Sequence, residues 1–243
     1  MKIWAHRGCS LRYPENTITS FSKAMEIPGL TGIELDVQLS LDGELVVIHD
    51  ETVDRTTDGK GFVRDYTLSR LKQFHIDAGG GKYESIPTMR EVFSLLQNQM
   101  REGFLLNIEL KNSVYPYPGM EEKILALAEE FGVQDSIVYS TFYARSLEKL
   151  YGLNSNLQLA ILDSKVSDCI YKIRGGCKAT MLHPYWQGID VPAEELKDYQ
   201  VRVWMSGYLY PTKPSGRRVD LKALEAKGVT DIILNEPEAY LDN

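Results

Sequence analysis

Two acidic side chains, Glu34 and Asp36, lie two positions apart in a run of residues typical of a β-strand. Side chains in a strand alternate between its faces, so both carboxylates should point to the same side. Paired acids on one surface suit either proton transfer or the binding of a cation.

A hairpin should bring a histidine to these acids. Asp42-Gly43 indicates a two-residue type I′ turn, which needs positive φ at both central positions. If Leu41 pairs with Glu44, the returning strand places His49 opposite Asp36. The segment therefore predicts a proton-transfer residue beside two carboxylates.

The same spacing recurs in Glu109 and Lys111, at the end of a later strand. Glu109 should join Glu34 and Asp36 at one rim, where the desolvation of unpaired charges costs several kcal/mol per ion. A hard divalent cation, Mg²⁺ or Ca²⁺, resolves this conflict through oxygen ligands, whereas the sequence lacks the Cys/His cluster of a zinc site. The structural alternative is an ion network of these acids with Lys111 and Arg7.

His6-Arg7-Gly8 ends the first strand and should lie at the same rim. Arg7 offers a planar fork for phosphate oxygens, and Gly8 allows a sharp turn. Cleavage of a phosphodiester requires charge neutralisation, deprotonation of a nucleophile and protonation of a leaving alkoxide. A metal with Arg7 and Lys111 would do the first, and His6 and His49 the others.

Short apolar runs alternate with amphipathic segments, the pattern of an α/β protein with a parallel sheet. Nine strands are predicted: Lys2 to His6, Gly32 to Leu39, Glu44 to His49, Leu105 to Lys111, Ser136 to Thr141, Leu157 to Leu162, Ala179 to His183, Val201 to Met205 and Asp231 to Asn235. Seven helices are predicted: Thr17 to Glu26, Thr88 to Gln99, Glu121 to Phe131, Ala144 to Tyr151, Val166 to Arg174, Ala193 to Tyr199 and Leu221 to Lys227.

The third predicted strand is the return arm of the hairpin, which leaves eight strands for a parallel sheet. The 243 residues are close to the roughly 250 of a single (β/α)₈ barrel. The fold prediction is therefore one TIM-barrel domain over residues 1–243, with a hairpin extension of strand 2. An open doubly wound sheet is the alternative, but no GxGxxG motif follows an early strand.

Two long loops should lie near the rim of this barrel. Residues 51–87 are polar and Gly-rich and predict an insertion subdomain, while the 211–218 loop carries Lys213, Arg217 and Arg218. Phe142 and Trp204 end strands, so they could hold the substrate's alcohol or glycerol moiety. His183 and His75 are expected to be structural.

Composition excludes several classes of protein. The net charge of −7 gives no electrostatic footprint for nucleic acid, and no apolar run approaches the ~20 residues that span a membrane. Three cysteines, Cys9, Cys169 and Cys177, do not form a disulfide or zinc pattern and are expected to be buried. Without a secretory signal at the start of this sequence, the expected location is the cytoplasm.

Across nearly its whole length, the sequence resembles the glycerophosphodiester phosphodiesterase family. The motifs that carry the resemblance are His6-Arg7-Gly8, Pro14-Glu15-Asn16-Thr17, Glu34-Leu35-Asp36-Val37, His49-Asp50, Ile86-Pro87-Thr88 and Ile108-Glu109-Leu110-Lys111. The resemblance implies a TIM barrel whose insertion after His49 forms a small cap. It implies these site roles: Glu34, Asp36 and Glu109 as metal ligands, His6 and His49 as the acid/base pair, and Arg7 and Lys111 as phosphate ligands.

The expected reaction is hydrolysis of small glycerophosphodiesters, such as glycerophosphocholine or glycerophosphoethanolamine, to sn-glycerol 3-phosphate and an alcohol. Either water or the vicinal glycerol hydroxyl could attack phosphorus, the latter through a cyclic phosphate. One alternative is a lysophospholipase D or sphingomyelinase D activity on the same scaffold. The other is a non-catalytic protein that binds phospholipid headgroups, although binding alone requires no pair of histidines.

Overall fold

The computed structural model describes residues 1–205, 210 and 218–241. Within these ranges the chain forms eleven strands: β1 Lys2–His6, β2 Gly32–Leu39, β3 Leu45–Val47, β4 Ile76–Asp77, β5 Tyr83–Glu84, β6 Leu105–Leu110, β7 Ile137–Thr141, β8 Gln158–Asp163, β9 Met181–Pro184, β10 Gln200–Trp204 and β11 Asp231–Leu234. The α-helices are α1 Ile18–Met25, α2 Leu68–Leu71, α3 Met89–Arg101, α4 Met120–Phe131, α5 Ala144–Leu153, α6 Val166–Arg174, α7 Leu221–Glu225 and α8 Glu238–Leu241. Three short 3₁₀ helices span Val63–Asp65, Gln134–Ser136 and Ala193–Leu196.

Eight parallel strands close into a barrel in the order β1, β2, β6, β7, β8, β9, β10, β11, because β1 pairs with both β2 and β11. Strand β3 is an antiparallel extension of β2. The predicted TIM barrel is confirmed. The predicted helix from Ala193 to Tyr199 is instead the 3₁₀ turn Ala193–Leu196 after Pro192.

Strand alternation separates the core from the site. In β2, Ile33, Leu35 and Val37 point outward into the apolar layer that also contains Phe21 of α1 and Phe93 of α3. The residues between them therefore point into the barrel. Helices α1 and α3 each begin with a capping box, formed by Thr17 and Thr88 respectively. No helix in the described ranges is long and apolar enough to cross a membrane.

The interior of the barrel contains a small apolar cluster and a buried polar network. The apolar cluster consists of Val138, Ala160 and Met181. Arg202 stacks on Trp4 at 3.6 Å, forms an ion pair with Asp231 at 3.4 Å and donates a hydrogen bond to Asn107 at 2.8 Å. This buried network forms a packed floor beneath the rim.

The register of the β2–β3 hairpin differs from the prediction by one residue. Gln38 pairs with Val46 and Leu39 with Leu45. Asp36 is therefore opposite Ile48, whose N–H donates to the Asp36 carbonyl at 3.1 Å. The prediction that His49 pairs with Asp36 is wrong.

The cause is a hairpin loop of three residues instead of two. Ser40 N–H donates to the Glu44 carbonyl at 3.0 Å, and in this loop only Gly43 has positive φ. The predicted turn would have placed Asp42 in the left-handed region as well. Instead the Asp42 carboxylate accepts hydrogen bonds from the Ser40 hydroxyl at 2.6 Å and from Leu68 N–H at 2.9 Å.

The insertion, residues 51–87, folds over one edge of the rim around α2 and the β4–β5 hairpin. Its apolar residues form a separate cluster that also includes β3: Val46, Ile48, Val53, Val63, Leu71, Phe74, Ile76 and Ile86. The predicted 211–218 loop is outside the described residues except for Arg218. All three cysteines are free and buried, and burial raises the pKa of Cys9 and Cys169 to about 12.

Gly32 begins β2 and leaves no room for a side chain. A Cβ there would lie 2.2 Å from the Leu105 carbonyl oxygen and 2.7 Å from the Trp4 ring. Gly32→Ala should lower the free energy of unfolding by about 2 kcal/mol in urea denaturation. Gly152→Ala is the control, because nothing lies within 4 Å and a small stabilisation of about 0.5 kcal/mol is expected in α5. Equal midpoints for both variants would contradict this packing.

Candidate active site

A cavity of about 300 Å³ opens at the carboxyl ends of the barrel strands. Eight of the nine residues predicted for the site line it: His6, Arg7, Glu34, His49, Glu109, Lys111, Phe142 and Trp204. The ninth, Asp36, is fully buried beside them. Five barrel strands and their following loops therefore contribute to one cavity.

The three predicted metal ligands converge. Glu34 and Asp36 project from β2, and Glu109 is beside Asp36 on the neighbouring β6. One oxygen from each lies within 4.8 Å of the others, and all three residues are buried. Burial and the charge of Asp36 raise the pKa of Glu34 well above its ordinary value, which shows the electrostatic cost of this arrangement.

Arg7 reaches the acids through an unusual backbone. Its φ is 56°, and Gly8 follows with φ 80°. A Cβ on Gly8 would lie 2.4 to 2.7 Å from atoms of Ser20, so only glycine fits there. The turn allows Arg7 N–H to donate to the Glu34 carbonyl at 2.8 Å, while Arg7 Nε lies 3.1 Å from Asp36 Oδ2.

Burial and neighbouring charge favour the neutral form of the His6 imidazole. Its Nδ1 donates to the Asn235 side-chain oxygen, which leaves Nε2 facing Glu34 Oε2 at 3.8 Å. Burial, and after it the charge of Arg7, lowers the pKa of His6 to about 3. His6 therefore presents an unprotonated nitrogen to the acids.

His49 faces the cavity from beyond the end of β3. Its Nδ1 donates to Asp50 Oδ1 at 2.6 Å, and Lys111 Nζ donates to its Nε2 at 3.2 Å. Lys111 also contacts Glu109 Oε1 at 2.9 Å. Lys111 thereby joins one predicted metal ligand to one predicted proton-transfer residue.

The site is completed by three charged residues that sequence reasoning did not place in it: Arg55, Glu15 and Asp50. Arg55, from the insertion, contacts Glu15 at 2.7 and 2.8 Å and Asp50 at 2.6 and 3.0 Å. Glu15 also accepts from Arg7 at 2.8 Å. Glu15 belongs to a motif quoted above, but no local pattern indicates its pairing with Arg55, 40 residues away.

The carboxylates outnumber the cations in this site. Five carboxylates are involved, those of Glu15, Glu34, Asp36, Asp50 and Glu109, and they face the cations Arg7, Arg55 and Lys111. When all five are ionised, two negative charges are left unbalanced, the number that a divalent cation carries. Asp36 Oδ1 is also buried without a hydrogen-bond partner in the described part of the chain. These oxygens fit a hard divalent ion.

Aromatic side chains form the opposite wall. Trp204 lies 6.2 Å from Phe142 and 4.9 Å from Tyr185, measured between ring centroids. Its indole N–H donates to the His183 carbonyl at 3.2 Å, which fixes the ring. The side chain of His183 is fully buried and also lines the cavity. The cavity thus has one charged side and one aromatic side.

The chain is similar to known proteins in both sequence and fold. Residues 6–168 match the family model described as the glycerophosphoryl diester phosphodiesterase family. A glycerophosphodiester phosphodiesterase from Caldanaerobacter subterraneus subsp. tengcongensis is 40% identical over 247 residues, covering 99% of this chain and 96% of the relative.

Solved structures give the same result. A putative glycerophosphodiester phosphodiesterase from Galdieria sulphuraria has a TM-score of 0.78 and 26% identity, covering 100% of this chain and 98% of the other. An Oleispira antarctica phosphodiesterase, solved with the product sn-glycerol-3-phosphate, has a TM-score of 0.74 and 26% identity, with coverage of 98% and 94%.

Arg55→Met should destabilise the protein by about 2 kcal/mol, because Glu15 is only 4% exposed and loses one of its two cationic partners. This loss of stability is smaller than that expected for a fully buried ion pair, because the Arg55 side chain is 37% exposed. Arg70→Met is the control and should leave the stability nearly unchanged, since among the described residues the Arg70 side chain contacts only Gln73 and the Phe74 ring on the surface of the insertion.

The difference in stability between Arg55→Met and wild type should depend on pH. Burial alone would raise the pKa of Glu15, but its hydrogen bonds and ion pairs with Arg55 and Arg7 outweigh burial and lower it. A lowered pKa stabilises the fold above the unfolded value of about 4.3, and this stabilisation is lost as the pH falls through the folded-state pKa. Urea denaturation at pH 7 and pH 3 should show the gap between Arg55→Met and wild type shrink in acid; a gap that widens in acid would contradict the pairing.

Proposed function

The chain belongs to the glycerophosphoryl diester phosphodiesterase family of enzymes, and from this premise we propose that it hydrolyses glycerophosphodiesters to sn-glycerol 3-phosphate and an alcohol. Small substrates such as glycerophosphocholine and glycerophosphoethanolamine match the cavity of about 300 Å³. The observation that carries the proposal is the convergence of three buried carboxylates, two histidines and two cations in one cavity.

The carboxylates of Glu34, Asp36 and Glu109 would hold a divalent cation, Mg²⁺ or Ca²⁺, which supplies positive charge for the phosphate oxygens when bound. Arg7 and Lys111 would add to that charge. Arg7 Nη1 donates to Glu15, and Nε lies within ion-pair distance of Asp36 without a hydrogen bond, while no acceptor among the described residues takes up Nη2. The remaining nitrogen is therefore the part of the fork that would contact phosphate.

Proton transfer falls to the two histidines. His6 keeps Nε2 unprotonated, and His49 accepts from Lys111 while Asp50 orients its ring. In the proposed reaction, one histidine removes a proton from the attacking water or vicinal glycerol hydroxyl, and the other protonates the leaving alkoxide. Attack by water gives glycerol 3-phosphate directly, whereas attack by the hydroxyl gives a cyclic phosphate that water then opens. Phe142 and Trp204 would pack against the glycerol or alcohol moiety opposite the charged wall.

A pair of histidines also distinguishes this proposal from a headgroup-binding protein. Binding of a phosphate requires positive charge, which Arg7 and Lys111 already provide. The orientation of both imidazoles by hydrogen bonds, to Asn235 and to Asp50, suits proton transfer and serves no purpose in charge neutralisation.

Removal of the metal should abolish turnover. Treatment with EDTA should stop the release of glycerol 3-phosphate from glycerophosphocholine, and Mg²⁺ or Ca²⁺ should restore it. The same ions should raise the thermal unfolding midpoint of the EDTA-treated protein, because an ion present at 100 times its Kd stabilises the folded state by about 2.7 kcal/mol. Asp36→Asn should lose that response, whereas Asp58→Asn, in the exposed Asp58–His75 pair, should keep it. Full activity in EDTA would refute the carboxylate site.

Loss of either histidine should remove catalysis without unfolding the protein. His6→Ala and His49→Ala should each lower kcat by about 10² to 10⁴-fold, with the far-UV circular dichroism of the wild type. His75→Ala is the matched control, because His75 is exposed and contacts Asp58 in the insertion. Near-normal turnover in His6→Ala or His49→Ala would contradict the acid/base assignment.

A further inference from the structure

Gln38 occupies the inward position of β2 that follows Glu34 and Asp36. Its side chain is fully buried. The amide nitrogen Nε2 lies 3.1 Å from the Ile48 carbonyl oxygen, 3.1 Å from that of His49 and 2.6 Å from that of Asp50. One side-chain amide therefore contacts three consecutive backbone carbonyls, of which the His49 carbonyl is the middle one.

These carbonyls lie where the sheet no longer supports the chain. Strand β3 ends at Val47, and beyond it only the Ile48 N–H continues the ladder, by donating to the Asp36 carbonyl. The chain then bends through His49 and Asp50. Carbonyls shielded from water need donors, and the two N–H groups of the Gln38 amide are positioned to serve these three, one of them shared between two carbonyls.

The orientation of the amide is specified from its other side. Gln38 Oε1 accepts a hydrogen bond of 2.9 Å from the hydroxyl of Tyr117, a buried residue in the loop between β6 and α4. A flipped amide would place Oε1 against three carbonyl oxygens, so only one orientation is favourable. Tyr117 packs edge-on against Tyr115, with ring centroids 5.0 Å apart, and Arg64 of the insertion lies over the Tyr115 ring at 4.5 Å.

We propose that Gln38 is a positioning residue for His49, and that Tyr117 holds the Gln38 amide in the orientation this requires. The path of the backbone through His49 decides where the imidazole meets Lys111 and the cavity. An error of about 1 Å in the position of a proton-transfer group costs on the order of 100-fold in rate. The inference rests on the proposed function, which makes His49 a catalytic residue.

The test compares variants that keep side-chain volume. Gln38→Met removes the amide and should lower kcat roughly 10- to 100-fold, with KM for glycerophosphocholine within about twofold of wild type. Tyr117→Phe removes one hydroxyl and should cause a smaller loss, about threefold to tenfold. Gln200→Met is the matched control, because Gln200 donates to Asp231 at the opposite end of the barrel. It should keep kcat even if it lowers the unfolding midpoint.

A double-mutant cycle separates positioning from general damage. In a His49→Ala background, Gln38→Met should cause no further loss of the residual rate, because Gln38 acts through His49. Unchanged kcat in Gln38→Met alone would overturn the proposal. So would an equal fractional loss in the wild-type and His49→Ala backgrounds.

A readout that needs no turnover distinguishes this inference from the proposed function. The chain has four histidines, so their imidazole NMR signals are assignable by substitution. In Gln38→Met the His49 signal should shift or broaden while those of His75 and His183 stay unchanged. If the wild type shows no hydrolysis, the proposed function fails, and the His49 signal still decides the positioning role: an unchanged signal refutes it.

Discussion

The central constraint in this protein is the burial of Glu34, Asp36 and Glu109 within a few ångströms of one another. Like charges removed from water repel strongly, and each retains a desolvation cost of several kcal/mol unless it is compensated. Compensation comes from Arg7 beside Asp36 and from Lys111 beside Glu109. The negative charge that remains suits a divalent cation, so the architecture of the rim follows from one electrostatic imbalance.

The backbone at the end of β1 is arranged to meet this demand. Arg7 adopts a left-handed conformation, which costs a residue with a side chain about 1 to 3 kcal/mol, and Gly8 continues the turn against Ser20. The hydrogen bond from the Arg7 amide to Glu34 and the ion pair with Asp36 offset that strain. Strain therefore occurs where an extended strand end would have pointed the guanidinium away from the acids.

Strand β2 and the insertion act together on the charged wall of the cavity. The inward residues of β2 serve successive purposes along the strand: Glu34 and Asp36 present carboxylates, and Gln38 supports the backbone around His49. The insertion contributes Arg55, whose guanidinium joins Glu15 to Asp50. It is thus a structural part of the site as well as a cover on the barrel, and it was the contribution of its side chains that sequence reasoning missed.

The sequence by itself determined what depends on local geometry. Strand alternation placed Glu34 with Asp36, and Glu109 with Lys111. Hydrophobic periodicity located both ends of each of the eight barrel strands to within two residues. The tertiary structure decided what depends on distant partners. The Asp42 carboxylate accepts a hydrogen bond from Leu68 N–H, 26 residues away. Asp42 lies in a three-residue hairpin loop, and this loop shifts the register between β2 and β3 by one residue. Arg55 meets Glu15 across 40 residues, and Tyr117 meets Gln38 across 79. A hydrogen bond or ion pair between remote side chains leaves no periodic signal in the chain, because its geometry exists only after the barrel has closed.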